Sequence, residues 1–538
     1  LVIEFDMNYS LAIVITISSL FYTELNAQPY QLTARWGEEI KANRRTTLND
    51  IIGSDETGFY AIRTKASMFL DFTFTLEHYG NDLRPINSVE LELTTNGRQR
   101  TGEFALFANN EIYIFSSYAD PQTRINDLYV QQVSKKTLQA TPPVSIAKID
   151  FNGQKRRNDG AFEFRQSRDK SKLLIYSKLP FEKNEPEKFE LLVLDKEMKP
   201  LWQKQITIPY RDQLFDLESM RISNDGEVHL LGLVYKDKRT EIRKGEANYS
   251  YELLSYYDKG TREERTPLSL AGKFITDMQI GILDNKDIVC AGFYSETGTL
   301  TIKGTYFLKL DAKTRTVITN TSKEFELDFI TQNLTEREAR KVGRRAENDK
   351  DIELFQFQLD QLVVDNTGGV FMIGEQYFIK RRITTIRNPT TGAVTTRTDF
   401  LYYYNDIITI RINASGEILW SQKIPKRQLS TNDGGASSSY TFGVRNGQLL
   451  FMYNDSPENI NYNGKGPVAR AELNPNYGIV MLCSVSGSGE VKRQPVFGTK
   501  EVSVLIRPKV CEQISSNEFV LFGQRGKKQQ FAILNIKD

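Results

Sequence analysis

The 538-residue chain is poor in the residues that most catalytic and metal chemistry needs: 2 His, 3 Cys and 3 Trp. Two histidines leave almost no material for His-ligated metal centres or His-dependent nucleophilic triads. His78 and His229 lie far apart in strand-like segments and read as structural. Three widely spaced cysteines, Cys290, Cys483 and Cys511, supply neither a disulfide framework nor a zinc knuckle. Each sits in an apolar segment, so buried thiols are expected, with a single Cys483–Cys511 bridge as the alternative. An excess of one charge is missing as well. There are 70 Lys+Arg against 68 Asp+Glu, a net +2, which argues against the positive field of a nucleic-acid binder. No phosphate-cradling P-loop and no EF-hand loop occurs. Neither a metal nor a cofactor is expected.

Beyond residue 28 no apolar run is long enough for a transmembrane helix. A shorter run, Leu11–Tyr22, has the length of a signal-peptide core and is followed by Leu25-Asn26-Ala27, a cleavage-site pattern. Residues 1–27 are therefore expected to be a signal peptide, with translation starting at Met7, and 28–538 to be the folded chain. That places the protein in the periplasm, outside the cell, or peripheral to the outer membrane.

What the sequence does contain is a repeat. A turn followed by a short apolar strand recurs from Asp55-Glu-Thr-Gly and Asn109-Asn-Glu-Ile through Asn224-Asp-Gly-Glu and Asn366-Thr-Gly-Gly to Ser516-Asn-Glu-Phe, eight times in all. The spacing is about fifty to eighty residues, the period of one four-stranded propeller blade. Asn, Asp and Gly head each copy because a tight hairpin needs positive φ. The fold class expected is all-β, a single β-propeller of eight blades, or seven, with a short helical insertion.

The tryptophans suggest how the ring closes. Trp202-Gln-Lys-Gln-Ile206 and Trp420-Ser-Gln-Lys-Ile424 fall at outer-strand positions, and Trp36-Gly-Glu-Glu-Ile40 shows the same spacing. The last segment, Phe531–Asp538, reads as a third strand with no fourth after it. Trp36 and Ile40 are therefore expected to mark an N-terminal strand that completes the last blade and removes an open edge. The turn Asn413-Ala-Ser-Gly-Glu-Ile-Leu-Trp420 resembles the tryptophan-docking repeat of PQQ-like and WD40-like propellers. Quinoprotein dehydrogenases of that group repeat the tryptophan in most blades and often carry an adjacent-Cys pair, both absent here. The resemblance implies the scaffold branch, without cofactor.

Long segments depart from the repeat at 180–188, 236–250, 326–353, 377–404, 428–440 and 454–477, and strand order puts them all on one face. Thr335 and Glu338 form a capping box that opens a helix to about Ala346. The segment 377–404 is a hairpin carrying Lys380, Arg381, Arg382, Arg387 and Arg397 against the single acid Asp399, a candidate binding surface. Arg165, Arg221 and Arg507 fall on expected innermost strands and are candidate channel arginines. The resulting expectation is a non-enzymatic binding or scaffold propeller of the bacterial cell envelope, recognising a protein or polysaccharide through the insertion-bearing face, with no nucleic-acid partner. The alternative is a carbohydrate- or anion-processing enzyme of the sialidase or glycosidase kind, working in the central channel.

Overall fold

The computed structural model describes residues 30–42, 46–66, 72–153, 158–240, 242–243, 246–270, 272–296, 298, 301–346, 352–387 and 389–538. The expected signal peptide, 1–27, lies outside the described residues. The chain is all-β, organised as a succession of antiparallel meanders of the β-propeller kind. Among the described residues six sheets have four strands, and a seventh has four plus a short fifth strand. Another has six when its short segments are counted, and two-stranded ribbons decorate the rest. The first sheet runs Thr46–Asp55, Gly58–Ala66, Phe72–Gly80 and Pro85–Glu90. The seventh runs Thr441–Arg445, Gln448–Asp455, Ile479–Val485 and Val491–Gly498.

Hydrophobic pattern explains this layering. Second strands such as Leu173–Lys178 and Ile288–Ser295 are apolar on both faces and buried almost throughout, because a sheet lies against each face. Fourth strands such as Val317–Glu324 are mostly exposed. Apolar clusters fill the space between consecutive sheets; one joins Phe189 and Trp202 to Met220 and Leu230. A further cluster packs Leu48, Ile51 and Phe59 of the first sheet on Val520, Phe522 and Phe531 of the last.

The strand Gln31–Trp36 pairs antiparallel with Lys528–Lys537, the third strand of the last sheet. Its register separates Trp36 from the other tryptophans. Trp202 stands opposite Val193 and Trp420 opposite Arg411, each one residue before its partner strand ends at Leu194 or Ile412. Each indole donates to a carbonyl of the next sheet, Gly226 and Gly487 respectively, at 3.0 Å. A Cβ at Gly489 would come within 2.9 Å of the Trp420 ring, so this left-handed turn (φ +90°) accommodates the indole only as glycine. Trp36 instead lies opposite Ala532, in mid-strand, and its ring meets Phe497 of the preceding sheet edge-on at 5.1 Å. Ile40 belongs to a separate short strand, opposite Gln529. The shared spacing around Trp36 therefore does not reflect an equivalent position. Trp202→Ala should cost about 3–5 kcal/mol, since the indole is buried. Trp36→Ala should cost only about 1–2 kcal/mol, because the ring is half-buried. Melting curves of the two variants check the order.

The three thiols are free and buried. Cys483 lies 3.2 Å from the Tyr453 hydroxyl and Cys511 accepts the Phe522 amide, so the two occupy different environments and are not bridged. His229 is buried against Ser255, and burial lowers its pKa to about 3. His78 stacks on Tyr60 at 4.3 Å. Both histidines serve packing. The helix Glu336–Ala346 starts as its capping box requires, with Glu338 accepting the Thr335 amide at 3.0 Å, and none of its residues is buried.

Candidate functional site

The first strand of each sheet carries ladder bonds on one edge only, and the first strands of neighbouring sheets approach one another, as Phe274–Ile282 does both Phe215–Ile222 and Phe357–Val364. Several are broken by a register shift that leaves one extra residue: Asn49, Glu103, Glu218, Thr276 and Asp360. A bulge bends its strand and re-aims a side chain. Three of these extra residues are acids, and two others, Asn49 and Thr276, directly precede Asp50 and Asp277.

These carboxylates sense one another. Burial raises the pKa of Glu218, and Asp277 raises it further. Burial takes Asp277 itself to about 6, against amide donors including Leu359. Burial lifts Asp360 to about 7 with help from Glu375, and Glu512 to about 7 with help from Asp50. Asp360 and Glu512 are solvent-accessible, so their desolvation is partial, yet protein atoms crowd them deeply enough to favour the neutral acid.

Beside the hairpin base at Tyr377 and Tyr404, two of these acids, Asp360 and Glu512, border a cavity of about 640 Å³. Asp360, Glu375 and Glu512 line it together with Tyr377, Tyr404, Tyr440 and Lys509. Tyr440 donates to Asp360 at 2.8 Å, and Lys509 reaches the Tyr404 hydroxyl at 3.2 Å. Behind this wall the fully buried Lys426 donates to Glu375 at 2.6 Å, to the Tyr404 carbonyl at 3.0 Å and to Gln428 at 3.1 Å. All three ammonium protons are thus used, and Ser439 donates to the other Glu375 oxygen at 2.7 Å. A buried pair so fully bonded holds the wall rigid. Arg168 bridges hairpin turns of different sheets, contacting Asp284 at 3.1 Å and Asn366 at 3.4 Å.

Two of the long segments touch one another outside the cavity lining. Tyr462, from 454–477, donates to Asn333, from 326–353, at 3.0 Å, and Asn333 reaches Asp406. The sequence-selected arginines are elsewhere. Arg165 and Arg221 are neighbours on first strands, and burial, then Arg165, lowers the pKa of Arg221, which contacts Gln279 at 3.2 Å. Arg507 turns to Gln524 of its own sheet at 3.1 Å. None of the three lines the cavity, which is acidic and aromatic.

The basic hairpin is a long arm, Val370–Arg387 paired with Val394–Ile412, and its cations divide into two sets. Arg382 and Arg397 both bind the buried Asp399, at 3.1 and 2.8 Å, and Asn432 adds a third donor. Lys380 lies over the Phe378 and Tyr403 rings at 5.2 and 5.3 Å. Arg381 and Arg387 are exposed, with no ion pair among the described residues.

Sequence reasoning missed Asp360, Glu375, Glu512, Tyr440 and Lys426. One signal was available: Glu375 ends the apolar run Val370-Phe-Met-Ile-Gly, and an acid in a doubly buried strand needs a buried partner. The bulged acids carry no such mark.

No protein-family model and no curated protein matches this chain. Among solved structures, a mutant of the Synechocystis apocarotenoid oxygenase is similar at 11% identity and a TM-score of 0.29, over 73% of this chain and 93% of that one. The Pyrococcus horikoshii acylaminoacyl peptidase is similar at 11% identity and a TM-score of 0.35, over 90% of this chain and 59% of that one. A Lactobacillus plantarum protein is similar at 10% identity and a TM-score of 0.30, over 65% and 83%. Likenesses this loose assign nothing to the cavity.

Proposed function

We propose that the chain is one β-propeller of eight blades, closed by Gln31–Trp36, that works as an exported binding protein of the cell envelope and takes a glycan in the cavity on its insertion-bearing face. The eight-blade reading is supported by the apolar cluster that joins the last sheet to the first. The binding reading is carried by the cavity itself, about 640 Å³ lined by tyrosine and carboxylate at the base of the long hairpin. Volumes of this order suit a small ligand. Tyrosine faces stack on the C–H faces of sugar rings, while carboxylates accept hydroxyl hydrogens, so polyols fit where anions would be repelled. Calorimetry against neutral and amino oligosaccharides tests the reading. Tyr404→Ala and Asp360→Asn should each weaken binding about tenfold or more, which is 1.4 kcal/mol or above. Absence of any glycan binding by the intact protein would refute it.

A second reading, glycoside hydrolysis, is favoured by one observation: Asp360, raised to about 7 by burial, stands in the same cavity as Glu375, which is ion-paired with Lys426. A protonated acid and an ionised carboxylate are the two groups that this reaction needs. Turnover of a bound oligosaccharide, lost in Asp360→Asn while binding persists, would decide for catalysis.

A further inference from the structure

We propose that the arm formed by residues 378–402 is a membrane-surface anchor, whose tip enters the interface of an anionic lipid bilayer. Three observations carry this. The chain has a net charge of only +2, yet the arm concentrates five cations against one carboxylate. Along its outer half three large apolar side chains stand more than half exposed: Ile383 is 52% exposed, Ile386 57% and Val394 62%. Register puts Ile383 and Val394 on one face of the hairpin and Ile386 on the other.

The distribution over two faces selects the occupant. A folded partner docking on one face would leave the other apolar face in water. A lipid interface surrounds the tip and takes both. A second copy of the chain is disfavoured by charge, because pairing two arms edge to edge would bring Arg381, Arg382 and Arg387 of one against those of the other. The cations are placed for lipid. Arg381 and Arg387 share the face of Ile383 and Val394, so headgroup phosphates would meet them as the apolar side chains sink. Depth is limited to the tip, since the outer edges of 378–387 and 394–399 carry unpaired backbone groups, among the described residues, that hydrocarbon would not satisfy. At its base the arm is braced by Gln428–Thr431, which pairs with 401–404, and by the stacking of Phe378 on Tyr403 at 4.6 Å. The inference does not depend on what fills the cavity, because the arm tip contributes no residue to its lining.

The test is co-sedimentation of the full chain with phosphatidylglycerol-containing vesicles and with pure phosphatidylcholine vesicles. Binding is expected to the anionic vesicles, falling as salt rises. Arg381→Ser with Arg387→Ser should weaken it about tenfold or more. Ile383→Ser, Ile386→Ser and Val394→Ser together should weaken it by at least a similar factor while leaving the salt dependence in place. All five positions are exposed, so both variants should melt with the parent and keep any oligosaccharide affinity of the cavity. Vesicle binding by either variant equal to the parent's overturns the anchor. So does failure of the parent to sediment with anionic vesicles at low salt, or a dimer in sedimentation velocity that the arginine variant dissolves.

Discussion

A chain that begins at Thr46 should melt far below the intact protein and aggregate on heating. Deleting the segment removes the partner of Lys528–Lys537 along the six residue pairs from Gln31↔Lys537 to Trp36↔Ala532. It also strips Tyr30, Leu32, Ala34 and Trp36 from a cluster in which Leu534 and Ile536 are completely buried. Those side chains would face water, and a row of unpaired backbone groups would become a template for other chains. The loss should be on the order of 5 kcal/mol or more, as for several large-to-small core substitutions together. Tyr30 adds ties to the seventh sheet: its hydroxyl donates to Gln448, and its carbonyl accepts from Gln494 at 2.9 Å. A synthetic peptide spanning residues 30–42, added in excess, should restore much of the melting temperature by binding the folded state. Equal melting of the truncated and intact chains would refute the closure.

The second large effect is on pH. The protein should lose stability steadily as pH rises from about 4 to 8. Asp277, Asp360 and Glu512 have folded pKa values raised to about 6, about 7 and about 7. Glu187, buried against Asp212, is raised as well, by burial and then by that neighbour. For each, the unfolded acid ionises at about pH 4 while the folded one keeps its proton. The folded state therefore binds more protons between the two pKa values, and stability falls as pH climbs through that window. Above the folded pKa no further loss accrues. Solvent screens the exposed Asp360 and Glu512, so the sum is well below its dry value, about 2–4 kcal/mol between pH 5 and 8. Calorimetric scans at pH 5, 6, 7 and 8 measure it. Asp360→Asn should flatten the upper part of the slope, and a flat profile in the parent would refute the assignment. Asp55 works in the opposite sense. Lys135 and Thr57 hold it at about 2, so its contribution is lost only in strong acid.

How much of this was legible beforehand follows from the range over which each feature is determined. Period-two and fully apolar runs, turns headed by Asn, Asp or Gly, the Thr335–Glu338 box and the burial of three thiols all depend on a few neighbouring residues. A reading along the chain captures such features. The N-terminal strand was also legible, because a third strand at the C-terminus demands a partner. The tryptophan that pointed to it did so by coincidence, since register along an outer strand depends on its partner and not on its own spacing.

The site belongs to the tertiary structure. Asp360, Glu375, Tyr440 and Glu512 come from three different sheets and meet only where those sheets converge, with bulges such as that at Asp360 deciding which acid reaches the cavity. A bulge is a disagreement in register between two strands, so neither strand alone encodes it. The same holds for the arm. Its basic composition was plain, but the capture of Arg382 and Arg397 by Asp399, and the freedom of Arg381 and Arg387, follow from which residues stand opposite each other across the hairpin. Sequence alone determined the strands, turns and surplus loops, which arise from local pattern. Only the assembled structure decided which charges are buried, paired or exposed, because those depend on neighbours brought together from distant parts of the chain.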